Sequence, residues 1–246
     1  MSSLDGLASE IERDGCATLS GILDPEACEH LLAVLAARET EWAGWGGARN
    51  LFEIDAIREV ALSQPIRRVA ETVLGRGCSA VRALLFDKTA SANWGVAWHQ
   101  DLAVAVQARN DAVPGFGPWS IKAGVVHAVA PASVLERMLT IRLHLDACGP
   151  ENGPLRVVAG SHRNGRIGAE DWSSSVWRGT QRVMTVERGG VVIFRPLLLH
   201  ASSPAEQPSR RRVLHLEYAS ADALSAPLLW RWSLGSCESS EDPVAE

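Results

Sequence analysis

Short apolar or alternating runs fill the chain from Ser79 onward, separated by glycine, proline and asparagine. Each of the nine runs is under ten residues long, which is typical of antiparallel β-strands rather than helices. So many short strands predict a mainly β fold, either a sandwich or a barrel. The predicted strands are VRALLFD, WGVAWHQ, LAVAV, GVVHAV, LTIRLHLD, LRVVA, VMTVE, GVVIFR and RRVLHLEYA.

Helical patterns occupy most of the chain before this β region. Helices are predicted over residues 4–13, over residues 25–37 and after Pro65, with a short strand over residues 16–20. Asp24 is a suitable N-cap for the second helix, because its carboxylate can accept hydrogen bonds from the first turn. We expect these helices to flank the β region and to pack on one of its outer faces.

No repeat, low-complexity tract or linker divides the sequence, so we expect a single domain over residues 1–246. Within it we predict a helical lead over residues 1–78, a β core over residues 79–220 and a C-terminal tail over residues 221–246. Residues 163–180 are rich in serine, tryptophan and arginine. This segment is predicted to be a loop insertion, with a lid over the core as one role for it.

Composition limits the partners of the protein. The formal net charge is −5, whereas nucleic-acid surfaces and polybasic membrane patches need an excess of lysine and arginine. The start MSSLDGLASEIERDG has no apolar signal segment, and no run approaches the roughly 18 apolar residues of a membrane span. We therefore expect a cytoplasmic protein that binds a small molecule and neither nucleic acid nor membrane.

Cysteine and tryptophan usage give weaker indications. The five cysteines are odd in number, scattered and never in a CxxC pair, so neither disulfides nor a zinc site is expected. Nine tryptophans stand against one tyrosine. Core packing is the favoured interpretation of those in the first half, although lining of a substrate site is the alternative. They are Trp42, Trp45, Trp94, Trp98 and Trp119.

The run TIRLHLD, residues 140–146, has two different faces. Isoleucine and leucines alternate with Arg142, His144 and Asp146. In a sandwich that is open to water on one side, the charged face points to solvent. If helices cover the outside of the sheet, that face points into the barrel, where such residues are tolerable only around a metal or a ligand. The pattern alone leaves both alternatives open.

The stretch NWGVAWHQDL, residues 93–102, places His99 and Asp101 on one strand face, because residues two apart share a face. A lone HxD is a weak signal and needs a third partner. His200 is predicted at the end of another apolar strand, in the run VVIFRPLLLHASS, and is the candidate. Two histidines and one carboxylate are the ligand set of non-haem Fe(II), which leaves open positions for a co-substrate and O₂.

A co-substrate that carries a carboxylate needs a fixed cation, and the fork of arginine suits it. Arg211 stands eleven residues after His200 and is the candidate. Arg210 and Arg212 are rivals for this role. Arg211 shares a strand face with His215, whereas both rivals point the other way.

With these residues the chain resembles the phytanoyl-CoA dioxygenase family of Fe(II)/2-oxoglutarate oxygenases. The resembling motifs are WHQD (residues 98–101), NGPLRVVAGSH (residues 152–162), LHASS (residues 199–203) and the arginine eleven residues after the distal histidine. They follow one another in the order of the family over roughly residues 80–220. This conjunction is far more specific than any one motif.

The resemblance implies a double-stranded β-helix, the jelly roll shared with cupins, in which His99, Asp101 and His200 bind iron. It also implies that 2-oxoglutarate chelates the iron through its 2-oxo acid end, while Arg211 and Ser202 bind the far carboxylate. The implied activity is an oxidation that converts 2-oxoglutarate and O₂ into succinate and CO₂. Hydroxylation of a small polar metabolite or natural-product intermediate is the expected outcome, although desaturation, cyclisation and demethylation use the same ligands.

The chain departs from the family at Arg142, where an aromatic residue near 2-oxoglutarate is frequent. Arg142 contacts the co-substrate, the substrate, or only Asp146. The other candidate pocket residues are Trp119, Lys122 and His144. If Arg142 and Lys122 both reach the pocket, they favour a polar substrate with an anionic group.

Two other classes of function are alternatives. A cupin-like metal-dependent isomerase or lyase would use a similar barrel but has no need for Arg211. A non-catalytic small-molecule-binding β-barrel would keep the fold without the metal. Iron content and 2-oxoglutarate decarboxylation distinguish the three classes.

Overall fold

A computed structural model describes residues 4–42, 46–207 and 210–235, and within them the chain forms six α-helices and thirteen β-strands. The helices are α1 (Leu7–Asp14), α2 (Pro25–Ala36), α3 (Asp55–Leu62), α4 (Gln64–Leu74), α5 (Ala132–Leu135) and α6 (Trp172–Arg178). The strands are β1 (Cys16–Leu19), β2 (Gly47–Ala48), β3 (Ser79–Lys88), β4 (Val96–His99), β5 (Ala103–Val106), β6 (Trp119–Lys122), β7 (Val125–Val129), β8 (Met138–His144), β9 (Leu155–Val158), β10 (Gln181–Met184), β11 (Val191–Phe194), β12 (His200–Ser202) and β13 (Arg211–Ala219).

The strands form three antiparallel sheets. The major sheet has the order β1-β11-β8-β13-β3-β2, and the minor sheet has the order β10-β9-β12-β4. A third sheet, β5-β7-β6, lies beside them. The major and minor sheets pack face to face, since Phe194 and Val192 of β11 join Leu155 and Val157 of β9 in one apolar cluster. This arrangement confirms the predicted double-stranded β-helix with flanking helices.

Helices α1 to α4 cover the outer face of the major sheet. Ile141 and Leu143 of β8 and Leu214 and Leu216 of β13 are fully buried against these helices in the largest apolar cluster. Because side chains alternate along a strand, the neighbours of these residues must point the other way. The charged face of the run 140–146 therefore points into the barrel and not to solvent.

The N-terminal elements begin and end close to the predicted positions. Asp24 caps α2 as expected, and its Oδ1 accepts a hydrogen bond of 2.7 Å from the Ala27 N–H. Gly15 ends α1 with a φ of 75°, a left-handed conformation that glycine adopts at little cost. Helices α3 and α5 were not predicted, and neither were the short strands β2, β6 and β12. The prediction that His200 ends an apolar strand was wrong, because β11 ends at Phe194 and His200 begins β12.

The segment 163–180 is not a plain loop, so that prediction was wrong in its secondary structure. It contains the short 3₁₀ helix Ala169–Asp171 and then helix α6. Residues 221–235 pack back onto the β core, where Trp230 pairs with Val106 and Leu234 pairs with Ala80. The rest of the predicted tail, residues 236–246, lies outside the described residues. No helix in the described parts is both long enough and apolar enough to cross a membrane.

The helical layer and the major sheet are joined by one buried hydrogen bond that we expect to be measurable. The Tyr218 hydroxyl donates to the Ala61 carbonyl at 2.8 Å, in the last turn of α3, where helix carbonyls lack intrahelical partners. Tyr218→Phe should lower the free energy of unfolding by about 1–2 kcal/mol in urea titrations. Thr72→Val removes a hydroxyl that bonds an exposed carbonyl at 2.7 Å and should cost under about 0.5 kcal/mol. Equal effects of the two variants would contradict this assignment.

Candidate active site

Three potential metal ligands meet where β4 and β12 pair. His99 ends β4, Asp101 follows it, and His200 begins β12 directly opposite His99 in the antiparallel register. Asp101 lies 3.7 Å from His99 Nε2 through Oδ1 and 3.6 Å from His200 Nε2 through Oδ2. One ligand atom from each residue lies within 4.8 Å of the others. This grouping is what the sequence predicted, and a single ion can bind all three.

Backbone carbonyls orient both imidazoles. His99 Nδ1 lies 2.8 Å from the Ala97 carbonyl, and His200 Nδ1 lies 2.8 Å from the Leu198 carbonyl. A carbonyl can only accept a hydrogen bond, so the proton sits on Nδ1 and leaves the Nε2 lone pair free. Burial lowers the pKa of His200 to about 4, although Asp101 opposes the shift. His200 is therefore neutral at physiological pH, as a metal ligand must be.

The Asp101 carboxylate is the third acceptor group of this cluster, beside the Nε2 atoms of His99 and His200. Asp101 is fixed through its backbone N–H, which donates to the Pro196 carbonyl at 2.9 Å. Its Oδ2 is buried and has no hydrogen-bond partner in the described parts of the chain. Burial alone would raise the pKa of Asp101, but nearby basic groups, His200 first, outweigh it and lower the pKa to about 2. One carboxylate and two free imidazole lone pairs that converge in this way fit a divalent cation.

Gln100 holds this motif in place. Its Nε2 donates to the carbonyls of Leu197, at 2.6 Å, and Gly165, at 2.8 Å, and its Oε1 accepts from the Ile167 N–H at 2.8 Å. The side chain is buried. Gln100 thus connects the ligand-bearing segment to the chain before His200 and to the insertion at residues 163–180.

Beside this cluster, the inner face of the major sheet carries three buried cations without a carboxylate partner among the described residues. Arg211 lies opposite Lys88 in the β13–β3 register, and Arg142 lies on β8. Arg211 donates to the carbonyls of Gly153 and Asn152, the second at 3.4 Å. Burial first, then the neighbouring arginines, lower the pKa of Lys88 to about 8. Such a cluster is costly unless an anion binds there.

The rival arginines already have anionic partners. Arg210 pairs with Asp87 at 2.8 Å and with Glu39 at 2.9 Å. Arg212 pairs with Asp146 at 2.8 Å. The alternative in which Arg142 contacts only Asp146 is therefore wrong, because a different arginine holds that carboxylate.

Arg142 instead lies over the ring of Phe86, with its guanidinium carbon 5.0 Å from the ring centroid. Burial first, and then Arg211, lower the pKa of Arg142 to about 10. His144 is also buried, and within the described ranges neither of its ring nitrogens has a hydrogen-bond partner. Burial and the two arginines hold the pKa of His144 well below its usual value. Ser202 is buried two residues after His200.

A second buried polar group lies on the inner faces of β3 and β13. Arg82 pairs with Glu217 at 3.0 Å, and His215 Nε2 lies 3.3 Å from the same carboxylate. His215 contacts the rings of Phe86 and Phe194, with centroids 5.5 Å and 6.1 Å apart. The Arg82–Glu217 ion pair has no net charge. It therefore does not compensate the positive charge of Lys88, Arg142 and Arg211.

A cavity of about 790 Å³ opens beside this inner face. Leu84 and Phe86 of β3 belong to its lining together with Lys122, Trp42 and Trp94. The core interpretation of Trp42 and Trp94 is therefore incomplete, since both contact the cavity. Of the other tryptophans considered, Trp119 packs partly buried against a separate apolar cluster, and Trp45 lies outside the described residues.

Lys88 and the arginine in the run GGARN were not recognised from the sequence. Lys88 ends an alternating run in which Arg82, Leu84 and Phe86 share its strand face. That alternation is a usable signal, but it becomes meaningful only when the partner strand is known. The arginine, Arg49, lies in a loop, where no periodicity indicates its direction.

The chain belongs to the phytanoyl-CoA dioxygenase (PhyH) family, whose model matches residues 11–213. This match confirms the resemblance noted in the sequence. A search of curated proteins gave no match.

Solved structures share the fold at low sequence identity. AviO1 from Streptomyces viridochromogenes Tue57 has a TM-score of 0.68 and 21% identity, and the alignment covers 92% of this chain and 99% of that chain. EctD from S. alaskensis with bound Fe has a TM-score of 0.67 and 20% identity, covering 89% and 77%. The epimerase SnoN in complex with Fe³⁺, alpha ketoglutarate and nogalamycin RO has a TM-score of 0.67 and 20% identity, covering 89% and 84%.

Gln100→Leu should loosen the segment 163–180 and the ligand cluster together. The change leaves two carbonyls and one N–H without their partner, and each unsatisfied group costs about 1–3 kcal/mol. We expect faster limited proteolysis within residues 163–180 and a lower unfolding midpoint. Gln107→Leu, at an exposed glutamine, is the control and should change neither. An unchanged cleavage rate in Gln100→Leu would refute this tethering role.

Proposed function

We propose that this protein is a non-haem Fe(II)/2-oxoglutarate-dependent dioxygenase, formed by a single domain, that hydroxylates a small polar metabolite or natural-product intermediate. The observation that carries the proposal is the juxtaposition of three convergent metal-ligand atoms with buried, unpaired cations. Family membership supports the same class. So do the structural neighbours, of which EctD is described with bound Fe and SnoN with Fe³⁺ and alpha ketoglutarate.

His99, Asp101 and His200 would hold the iron. Their free acceptor atoms and the neutral state of His200 suit a divalent cation. Bound iron would supply the activation of O₂ that couples 2-oxoglutarate decarboxylation to substrate oxidation. Phe194 packs against His200 with ring centroids 4.8 Å apart, and it excludes water from that side of the ligands.

Arg211 would bind the far carboxylate of 2-oxoglutarate, with Ser202 as a second donor. Lys88 lies beside this position, since its Nζ donates to the Ser203 carbonyl at 2.8 Å. Arg142 Nε and the His144 ring nitrogens are buried and have no hydrogen-bond partner among the described residues. A dianion in this place would compensate the buried positive charge. A plain cupin isomerase or lyase has no use for such a cluster, which disfavours that alternative.

Hydroxylation is the outcome that we propose, although the neighbour SnoN is described as an epimerase. The two outcomes differ in whether oxygen enters the product. The deciding experiment is a metabolite screen with succinate as the first readout, followed by turnover of the hit under ¹⁸O₂. Incorporated ¹⁸O supports hydroxylation, whereas an isomeric product without ¹⁸O would replace it by epimerisation.

The metal assignment predicts one Fe(II) per chain after anaerobic loading, measured by metal analysis. His200→Ala removes one of three ligands and should lose most of this iron, together with 2-oxoglutarate turnover. His30→Ala, at an exposed position of α2, is the matched control and should retain both. Far-ultraviolet circular dichroism checks that each variant is folded. The assignment fails if His200→Ala binds iron as tightly as the wild type.

The co-substrate assignment predicts a large effect of Arg211→Met. Loss of the cation that faces a buried carboxylate costs about 2–5 kcal/mol, so the KM for 2-oxoglutarate should rise about a hundredfold or more. Replacement of a buried charge by an apolar residue of similar size need not destabilise the fold. Lys88→Met should also raise the KM, by a smaller factor.

Arg212→Met is the matched control for this prediction, because Arg212 already pairs with Asp146. Its KM for 2-oxoglutarate should stay within about twofold of the wild type. If Arg212→Met or Arg210→Met raises the KM and Arg211→Met does not, the carboxylate-binding role belongs to the neighbour.

A further inference from the structure

We infer that the 790 Å³ cavity is the substrate site and that Arg49 and Lys122, which both line it, bind an oxyanion of the substrate. The substrate class is thus a carboxylate or phosphate ester with an apolar or aromatic body. This inference rests on the proposed oxygenase function and names its substrate class.

The cavity has the size and the walls of a small-molecule site. Pockets for drug-sized ligands measure about 300–1,000 Å³ and are mainly apolar with a few placed polar groups. Here Trp42, Trp94, Leu84 and Phe86 supply the apolar walls. The Trp94 indole packs directly on Gly46, where an added Cβ would lie 2.5 Å from the ring.

Arg49 and Lys122 come from distant parts of the chain and are held on one wall by a specific contact. The Asn50 side chain donates to the Ala123 carbonyl at 2.9 Å and so joins the two loops. Both residues have left-handed backbones, with φ of 59° for Asn50 and 48° for Ala123. For alanine this conformation costs about 1 kcal/mol, and backbone strain of this kind clusters at functional sites.

Neither cation is neutralised by the protein. Among the residues that the structure describes, no carboxylate lies within ion-pair distance of Arg49 or Lys122. The acidic residues of the lining interact with a different arginine, Arg38. Glu41 pairs with Arg38 at 2.8 Å, and Glu53 also attracts it electrostatically. The part of the lining formed by Arg49 and Lys122 is therefore basic.

The electrostatic environment links this wall to the ligand cluster. Burial, then Arg82 and Arg49, lower the pKa of Lys122, while Asp101 and Glu217 oppose the shift. Desolvation, then Arg82, lower the pKa of Arg49, with Glu217 in opposition. Phe86 of the same lining contacts the His215 ring, with centroids 5.5 Å apart, and lies 5.0 Å from the Arg142 guanidinium carbon. The cavity therefore adjoins the inner sheet face that carries the cation cluster.

The 2-oxoglutarate cations do not account for these two residues. Arg211, Lys88 and Arg142 are buried on the inner sheet face, whereas Arg49 is exposed at the cavity. Trp94 contacts both groups' surroundings, since Lys88 Nζ lies 5.5 Å from its ring centroid and Trp94 also lines the cavity. Arg49 and Lys122 therefore remain available for an oxyanion of the substrate when 2-oxoglutarate occupies the deeper group.

Isothermal titration calorimetry tests the inference on anaerobic protein saturated with Fe(II) and 2-oxoglutarate, which blocks the deeper cations. The probes are phenylacetate, phenyl phosphate and the neutral phenylacetamide. We expect at least one anion to bind about tenfold or more tightly than the amide, as loss of a charge-assisted hydrogen bond predicts. The better anion identifies the oxyanion type.

Matched variants identify the residues that cause the preference for an anionic probe over the amide. Arg49→Gln and Lys122→Gln should each reduce it, and the double variant should abolish it. Arg38→Gln changes another arginine of the same lining, whose charge Glu41 already balances, and should preserve it. Equal affinities for anions and amide, or a preference that survives in the double variant, would overturn the inference.

The two proposals can fail separately. Wild-type protein that binds Fe(II) and 2-oxoglutarate without any charge preference for the probes refutes the substrate class alone. Protein that binds neither refutes the oxygenase function. In that case the same titrations on metal-free wild type and double variant still decide whether Arg49 and Lys122 bind an oxyanion.

Discussion

The helical layer on the outer face of the major sheet determines what the inside of this barrel can be. Once Ile141 and Leu214 pack against helices, strand alternation sends their neighbours Arg142 and His215 inward. A closed apolar interior is then impossible, and every inward polar group needs a partner. Some find one in the protein, as Arg82 does with Glu217. The others require a metal ion or a small molecule.

Strand periodicity explains which parts of the site were predictable. His99 and Asp101 are two apart on one strand, so their common face follows from the sequence. Arg211 was chosen over its neighbours by the same alternation, and the pairing of Arg210 and Arg212 with carboxylates agrees with that choice. The roles of the metal ligands and of Arg211 were inferred from a family resemblance. The PhyH match supports that resemblance over most of the chain.

The other parts of the site could not be predicted, because they depend on contacts between segments that are distant in the sequence. Strand periodicity carries no information about such contacts. Lys88 joins the cation cluster because β3 pairs with β13 in one register, and a shift by one residue would turn its side chain outward. Arg49 reaches the cavity because a side-chain hydrogen bond joins its loop to the turn after β6. Helix α6 was missed since its residues, rich in serine and tryptophan, carry little helix propensity.

Charge balance inside the barrel connects the co-substrate to the substrate. Arg82, Lys88, Arg142 and Arg211 are buried cations, and Asp101 and Glu217 are the carboxylates near them. The interior therefore keeps an excess of positive charge in a chain whose net charge is −5. Dianionic 2-oxoglutarate would offset this excess, but the divalent metal would bring in two further positive charges. The anionic substrate that we infer at the cavity wall would lower the electrostatic energy of this metal-loaded interior, which gives the unpaired cations beside the active site a role in a negatively charged chain.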